Sequence, residues 1–251
     1  MKKRLAIGAV IASLLVAGGA SAALVKVNGL VLRADGGFTP RELPRREFAP
    51  IDFEGWAAVK AVGGGAPPPL QQIVLNFDRD GRLFTTGLPT CSSTEVGAAS
   101  PQQARRACGG AMIGTGEVEA AIAFEDQAPF RVRSPLSLFN GPRQEGKPTV
   151  IFHAQTTVPV LQTYAVVIPI ERRHGYYAYR ATTDVPPIAG GRGALTRVEV
   201  DIGKRFRYRG GERSYVSARC SDGVLETRGR FTFADGTIID GSVEKPCRTV
   251  P

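Results

Sequence analysis

The chain has 251 residues, of which 43% are hydrophobic and 22% charged, and its formal net charge is +9. This length suffices for one large domain with a proper hydrophobic core. The four cysteines form no Cys-x-x-Cys pair and no cluster with histidine, so the composition argues against a zinc-binding protein.

The N-terminus has the three parts of a secretory signal peptide. Residues 2–4 are basic, residues 5–16 are apolar, and residues 20–22 are Ala-Ser-Ala, which suits a signal peptidase. We expect cleavage before Ala23, so that residues 1–22 are removed and the charge falls from +9 to +6 with the loss of three basic residues. A retained anchor is the alternative, but the apolar run is short for a membrane span. The mature chain is therefore expected to have no stable membrane span.

Two disulfide bonds are predicted, because an even number of cysteines in an exported protein typically forms bridges. We predict Cys91–Cys108, which brackets a short helix, and Cys220–Cys247, which brackets the closing hairpins. The two other pairings that four cysteines allow stay open at this point.

The helix between the first two cysteines has clear end signals. Ser100 suits the N-cap, Pro101 suits the first helical position, and Gln103 completes a capping box. Residues 102–107 then supply about two turns, and two glycines at 109–110 end them.

The first part of the mature chain, residues 23–69, is predicted to be an extended segment packed on the domain. Residues 25–33 form a candidate strand, but residues 38–50 contain three prolines, which cannot donate to a central ladder. Residues 51–62 resume an apolar pattern around the only tryptophan, and residues 63–69 read as a glycine- and proline-rich loop.

Short strands separated by turn residues dominate the rest of the chain. Residues 73–77 alternate in polarity, and an Asp-Gly pair at 80–81 then leads into residues 83–86, which is typical of a hairpin. Further strands are predicted at residues 118–124, 130–139, 149–155, 164–170, 176–179, 197–209, 215–220, 224–233 and 237–243.

The clearest alternation lies in residues 197–209 and predicts one buried and one wet strand face, with a bend near Gly203. The apolar face comprises Val198, Val200, Ile202, Phe206 and Tyr208. Together the patterns predict an all-β fold: a single jelly-roll-like β-sandwich over residues 23–251, with one short disulfide-bracketed helix.

Several short motifs give the chain a resemblance to exported bacterial β-sandwich proteins that have four cysteines and no known function. These motifs are Phe-Asp at 77–78, Gly-Leu-Pro-Thr-Cys at 87–91, Ala-Cys at 107–108, Gly-Thr-Gly at 114–116, Ile-Ala-Gly-Gly at 188–191, Ser-Ala-Arg-Cys at 217–220 and Pro-Cys at 246–247. The resemblance implies the fold and export, and it implies no catalytic residue.

Asn76, Asp78 and Asp80, followed by Gly81, resemble the first half of a calcium-binding loop. Position twelve of such a loop should be glutamate, but it is Gly87 here. An Asp-Gly turn explains the same residues and is the preferred interpretation, so no metal site is predicted.

Catalytic patterns are weak, and no catalytic residue or cofactor is predicted. The two histidines, His153 and His174, accompany no Gly-x-Ser-x-Gly motif, so a structural and an exposed role are expected. Two carboxylate pairs, Glu117 with Glu119 and Glu199 with Asp201, could face a sugar-binding groove, but their spacing is also that of solvated strand positions.

Arg205, Arg207 and Arg209 share one strand face and form the candidate anion-binding site. The sequence identifies no partner, and a ligand of this face would be an anionic cell-surface polymer or a glycan. Nucleic acid is not expected, because the neighbouring aromatic residues point to the other face and export removes that partner. A solvated strand face that protects a sheet edge explains the same residues and is the preferred interpretation.

The sequence thus predicts an exported, non-catalytic structural or binding module of the cell envelope or extracellular space. The alternative is a carbohydrate-active enzyme on a jelly-roll scaffold. An enzyme would need paired carboxylates, one with a raised pKa, whereas a binding module would need aromatic or basic surface groups.

Overall fold

The computed structural model of the protein describes residues 22–125 and 127–250. The basic and apolar parts of the predicted signal peptide fall in residues 1–21 and so lie outside the described residues.

The described chain consists mainly of strands, which confirms the all-β prediction. The first seven strands precede two short helices, α1 (Ser93–Val96) and α2 (Pro101–Cys108). These seven are β1 (Ala23–Val27), β2 (Leu30–Thr39), β3 (Glu42–Pro44), β4 (Ala49–Pro50), β5 (Asp52–Ala61), β6 (Leu70–Asp78) and β7 (Gly81–Leu83). After the helices come β8 (Met112–Phe124), β9 (Gln127–Gln144), β10 (Lys147–Thr156), β11 (Gln162–Arg172), β12 (Tyr177–Asp184), β13 (Gly193–Ile202), β14 (Arg205–Tyr208), β15 (Gly211–Ser214), β16 (Val216–Ala218), β17 (Val224–Phe233), β18 (Ile238–Pro246) and β19 (Arg248–Val250).

Twelve strands form one large, barrel-like sheet, in the order β1-β2-β5-β13-β8-β9-β10-β11-β12-β6-β17-β18. Every pairing within it is antiparallel. The predicted two-sheet sandwich is therefore replaced by a single curled sheet. Both architectures alternate buried and exposed residues along each strand, so the sequence pattern does not distinguish them.

The two ends of the large sheet meet along a line that we call the seam, between β1–β2 and β18. No backbone ladder joins these strands within the described residues. Side chains hold them instead: Asn28 Nδ2 donates to Thr237 Oγ1 at 3.3 Å, and Lys245 pairs with Asp35. Beyond the ion pair, β3 and β19 form a short parallel ladder that continues the same junction.

Strand β13 shows how the alternating pattern builds the wall. Val198, Val200 and Ile202 point into the interior that the large sheet encloses, and they pack on the hydrophobic core. Arg197 and Glu199 form an ion pair with each other on the outer surface. The strand ends at Ile202, and β14 begins a separate two-stranded sheet with β15, so the predicted bend near residue 203 is a complete strand break.

Both predicted disulfide bonds are confirmed. Cys91 and Cys108 are bridged with a Cα–Cα distance of 5.6 Å, and Cys220 and Cys247 with one of 6.0 Å. The capping box that begins with Ser100 is also present. The predicted single helix is preceded by the one-turn α1, which carries a capping box of its own.

The helices and the first disulfide cover the outer surface of the large sheet. The bridged cysteines, Val96 and Ala104 pack together with Phe139 and Ile151, which project outward from β9 and β10. The chain enters this region through Gly87, whose φ of +81° favours glycine and where a Cβ would collide with the ring of Tyr208.

Two parts of the predicted layout are wrong. Residues 23–69 supply β2 and β5, two ten-residue strands inside the large sheet, rather than an extended segment lying on it. The predicted hairpin at the Asp-Gly turn is not formed, because β7 pairs with β16 while β6 pairs with β12 and β17. The glycines and charged residues of β2 interrupt its apolar pattern, so its full length was not recognised as a strand. The Asp-Gly turn signal is local, so it could not show that β7 pairs with the distant strand β16.

Candidate functional site: an interior cavity

The barrel-like sheet encloses a cavity of about 340 Å³, which we call the interior cavity. It touches two separate clusters of buried apolar side chains. Leu32, Val59 and Phe231 line it from one cluster, and Val150 and Ile170 line it from the other. The volume lies near the lower end of the range of about 300–1,000 Å³ that is typical of small-molecule sites.

The walls of the interior cavity are mainly apolar, and the space is not completely filled. Leu75, Phe77, Phe53 and Val200 all point inward, yet each remains only half-buried. Inward-facing apolar side chains in a closed core would be fully buried and close-packed. Their residual exposure therefore indicates an accommodating space rather than a sealed core.

Aromatic rings and glycines shape the wall together. The rings of Phe53 and Phe77 meet edge to face, with centroids 6.5 Å apart. A Cβ built on Gly55 would lie 3.2 Å from Cζ of Phe53, and one built on Gly229 would lie 2.8 Å from the ring of Phe231. These glycines let the rings lie close against the sheet, so the rings occupy less of the interior.

Lys245 is a buried charged residue that lines this mainly apolar interior. On β18 it follows Gly241 and Val243 on the face that lines the cavity. The carboxylates of Asp78 and Glu226, which also border the cavity, are engaged elsewhere: Asp78 accepts from two backbone amides, and Glu226 accepts from the hydroxyl of Tyr177.

The Lys245 ammonium pairs with Asp35 across the seam at 2.5 Å. The residue Lys245 is only 8% exposed, whereas the Asp35 side chain is 33% exposed. The hydrogen bond from Lys245 is the main reason why the pKa of Asp35 is lowered, and the Gly36 amide lowers it further against the opposing effect of burial. The lowered pKa favours the ionised form of Asp35, which lies nearer to solvent than Lys245 does.

The three arginines of the candidate anion-binding site do not act alike. Arg205 is half-buried and donates to the Ile51 carbonyl at 3.0 Å and to Ser214 Oγ at 2.9 Å, and it also pairs with Asp52. Arg205 thus connects the two-stranded β14–β15 sheet to the start of β5 in the large sheet. Arg207 and Arg209 are exposed, so they are the members available to an anion.

We expect the double substitution Arg207→Ser and Arg209→Ser to weaken retention on heparin and to flatten its salt dependence, because lysine and arginine contacts release counterions. Unfolding free energy should change by no more than about 0.5 kcal/mol per site, since both are exposed. Arg205→Ser is the matched structural variant, and it should destabilise the fold by more. Retention of the double variant equal to that of the unmodified protein would refute this binding site.

The acidic turn is satisfied by hydrogen-bond donors from the protein. The Asp78 carboxylate accepts from the backbone amides of Asp80 and Glu226 at 2.8 and 3.0 Å, and Asp80 accepts from Arg219 Nε and the Ser221 amide at 2.8 and 2.7 Å. Both carboxylates therefore accept hydrogen bonds from groups of the protein itself. Among the described residues, the one cluster with metal-ligand spacing is Cys91, Glu95 and Cys108, whose two sulfurs are already bridged.

The pKa values of the two turn aspartates, Asp78 and Asp80, are shifted in opposite directions. Burial raises the pKa of Asp78 above its ordinary value. Burial also acts to raise the pKa of Asp80, but the hydrogen bonds from Ser221 and Arg219 outweigh it and lower that pKa.

The carboxylate pairs considered for sugar chemistry lie on the outward face of the large sheet, where arginines pair with three of the four members and Glu119 is buried. Glu119 accepts from Arg131 at 3.1 Å and Arg133 at 3.0 Å, and Glu117 lies 3.9 Å from Arg133. Burial acts to raise the pKa of Glu119, but hydrogen bonds from Arg133 and Thr196 lower it overall. On the next strand, Arg197 pairs with Glu199 at 2.7 Å and lies over the ring of Trp56, while Asp201 is exposed.

The histidines take the structural and exposed positions expected of them. His153 is completely buried beneath the helices, with Nε2 at 3.0 Å from the Ala99 carbonyl oxygen. Burial lowers its pKa, so the ring is neutral near pH 7. His174 is exposed in the turn after β11.

Sequence reasoning missed the interior cavity and the inward ammonium of Lys245. The available signal was the glycine and alanine content at inward positions of the strands at the seam and next to it: Ala34 and Gly36 on β2, Gly55 and Ala57 on β5, Gly229 on β17 and Gly241 on β18. Small residues at core positions mark either a close approach or an unfilled volume.

Within the described residues, no helix combines the length and the apolar character that a membrane crossing requires. The two disulfide bonds indicate an oxidising, extracellular environment. Comparison of the chain with protein-family models, with curated proteins and with solved structures gives no match.

Proposed function

We propose that this protein is an exported, non-catalytic binding protein that holds a small apolar ligand in the interior cavity. The observation that carries the proposal is the 340 Å³ space with mainly apolar walls inside a large sheet. The N-terminal signal pattern supports removal of residues 1–22 and export to the cell envelope or the extracellular space. The two disulfides agree with that destination.

Binding would be driven by removal of apolar surface from water on both partners, worth about 25 cal/mol per Å². The half-buried side chains of Leu75, Phe77 and Phe53 would complete their burial against the ligand. The antiparallel ladders around the cavity hold these side chains on regular strands, so little ordering is needed when the ligand enters.

The competing function, a carbohydrate-active enzyme, gains no comparable support. A glycosidase needs one protonated and one ionised carboxylate across a groove. Glu117, Glu119 and Glu199 are each paired with arginine, and the pKa of Glu119 is lowered rather than raised. Ionised carboxylates held by arginine are not suited to act as a general acid.

Filling the cavity tests the proposal. We expect the mature protein to enhance the fluorescence of Nile red, a neutral apolar dye, and Leu75→Trp to weaken that binding by about tenfold, because the indole occupies ligand volume. Val74→Trp is the matched control, since Val74 lies on the same strand and does not line the cavity. It should leave the dye affinity within about twofold of the unmodified value, which is a difference of less than 0.5 kcal/mol.

Thermal unfolding of both variants establishes that each remains folded, and Ala181→Leu is a milder filling variant for the same wall. Absence of dye binding to the folded, unmodified protein would refute the proposal. Equal loss of binding in the Val74 and Leu75 variants would also refute it, because the dye would then be bound outside the cavity.

A further inference from the structure

We infer that the ligand of the interior cavity is a single-chain amphiphile with a carboxylate head, and that this carboxylate pairs with Lys245 in place of Asp35. The inference rests on the proposed function and names its ligand class. It follows from the position of the buried Lys245 beside the mainly apolar walls of the cavity.

An ammonium taken out of water needs an anionic partner, because an isolated buried charge is very costly. Lys245 is buried, and Asp35 is its ion-pair partner among the described residues. The inward face of β18 leads from Gly241 through Val243 to Lys245, so the charge stands at one end of an apolar row. This arrangement matches a molecule with an apolar chain and a terminal anion.

The two members of the ion pair are not equally committed to it. Asp35 is the more exposed partner, it keeps the Gly36 amide as a second donor at 2.8 Å, and the charge of Arg41 also stabilises its ionised form. Asp35 can therefore turn toward solvent and remain solvated. Lys245 has no such alternative, so a carboxylate that enters the cavity can replace Asp35 without leaving a charge unpaired.

The polar surroundings of Lys245 also suit a carboxylate head. Thr227 lines the cavity on β17 and is paired with Val243, which places it diagonal to Lys245 on the same sheet face. In the other direction the cavity reaches the apolar cluster around Phe231 and Phe233, which suits the chain.

The size of the cavity favours one chain. A volume of about 340 Å³ lies near the lower limit for small-molecule sites, so a two-chain lipid would exceed it. A fatty acid of medium length meets the requirements of volume, polarity and charge together.

Competition against Nile red provides the test, with decanoate and decanol as probes that share a chain and differ in the charge of the head. We expect decanoate to bind the unmodified protein about tenfold more tightly than decanol, as a charge-assisted hydrogen bond of about 1.5 kcal/mol would give. Lys245→Met should abolish this preference while leaving decanol binding within about twofold. Asp35→Asn should keep or increase the preference, because it removes the competing carboxylate.

Equal binding of the two probes to the unmodified protein would overturn the inference and leave the proposed function standing. If the Lys245→Met and Asp35→Asn variants both lose binding of decanoate and decanol to the same extent, the inference is also overturned. The ion pair would then serve only to hold the seam together. If Lys245→Met does not fold, Lys245→Arg, which keeps the charge, and Asp35→Asn still decide the question by their probe preference. If neither probe nor the dye binds the unmodified protein, the proposed function fails as well.

Discussion

Replacing Cys220 and Cys247 together by alanine is expected to lower the free energy of unfolding by about 3.5 kcal/mol. The bridge closes a segment with a sequence separation of 27, and the chain-entropy model gives about this value for such a loop. In the folded protein the bridge joins the residues that follow β16 to the end of β18, and both sulfurs lie in one buried cluster with Phe38 and Leu43. Urea unfolding under non-reducing conditions measures the change.

Alanine substitution of Cys91 and Cys108 is the matched comparison. Its sequence separation of 17 predicts about 3 kcal/mol, slightly less than the other bridge. The two bridges close separate segments, so their effects should add within about 0.5 kcal/mol. A change below about 1 kcal/mol for either pair would show that the chain-entropy account does not hold here.

Asp80→Ala should cost about 3 kcal/mol, because breaking a buried ion pair leaves its partners unsatisfied. Asp80 is completely buried, and its loss would strand Arg219 Nε and the Ser221 amide. Asp222→Ala is the control, since Asp222 forms an exposed pair with Arg79 and should cost about 1 kcal/mol or less. Equal costs for the two substitutions would contradict the role assigned to Asp80.

The pH dependence gives Asp80 a second signature. Its pKa is lower in the folded protein than in the unfolded chain, so its contribution to stability is present above the unfolded pKa of about 3.9 and is lost as the pH falls through the folded value. The stability difference between the unmodified protein and Asp80→Asn should therefore shrink in acid. Asp78 has a raised pKa, so Asp78→Asn should give the opposite trend.

Local features of this fold could be predicted from the sequence, whereas distant pairings could not. Ser100 and Gln103 form a capping box within four residues, and each cysteine pair brackets one continuous segment, so neighbouring residues were enough to predict them. The partners of β7 and β5 were not predictable in this way. Strand β7 pairs with β16, more than 130 residues away, and turn residues carry no information about such a partner.

The candidate site was harder to predict for a related reason. Alternation assigned Val198, Val200 and Ile202 to the inner face correctly, but a face assignment does not reveal whether the enclosed space is filled. Lys245 was missed because the last strand was predicted to end at residue 243, whereas β18 continues to Pro246. Lys245 faces an apolar interior because the whole sheet is curled, and this curl cannot be read from one strand.

The seam has a consequence for the rate at which a ligand could enter and leave. Elsewhere around the large sheet, parting two strands would break a row of backbone hydrogen bonds, but along β1–β2 and β18 it would break side-chain contacts only. The two flanking strands can therefore separate without loss of the ladders that define the fold. Exchange of a bound molecule would then be governed by this local opening, and it would proceed far faster than unfolding of the protein.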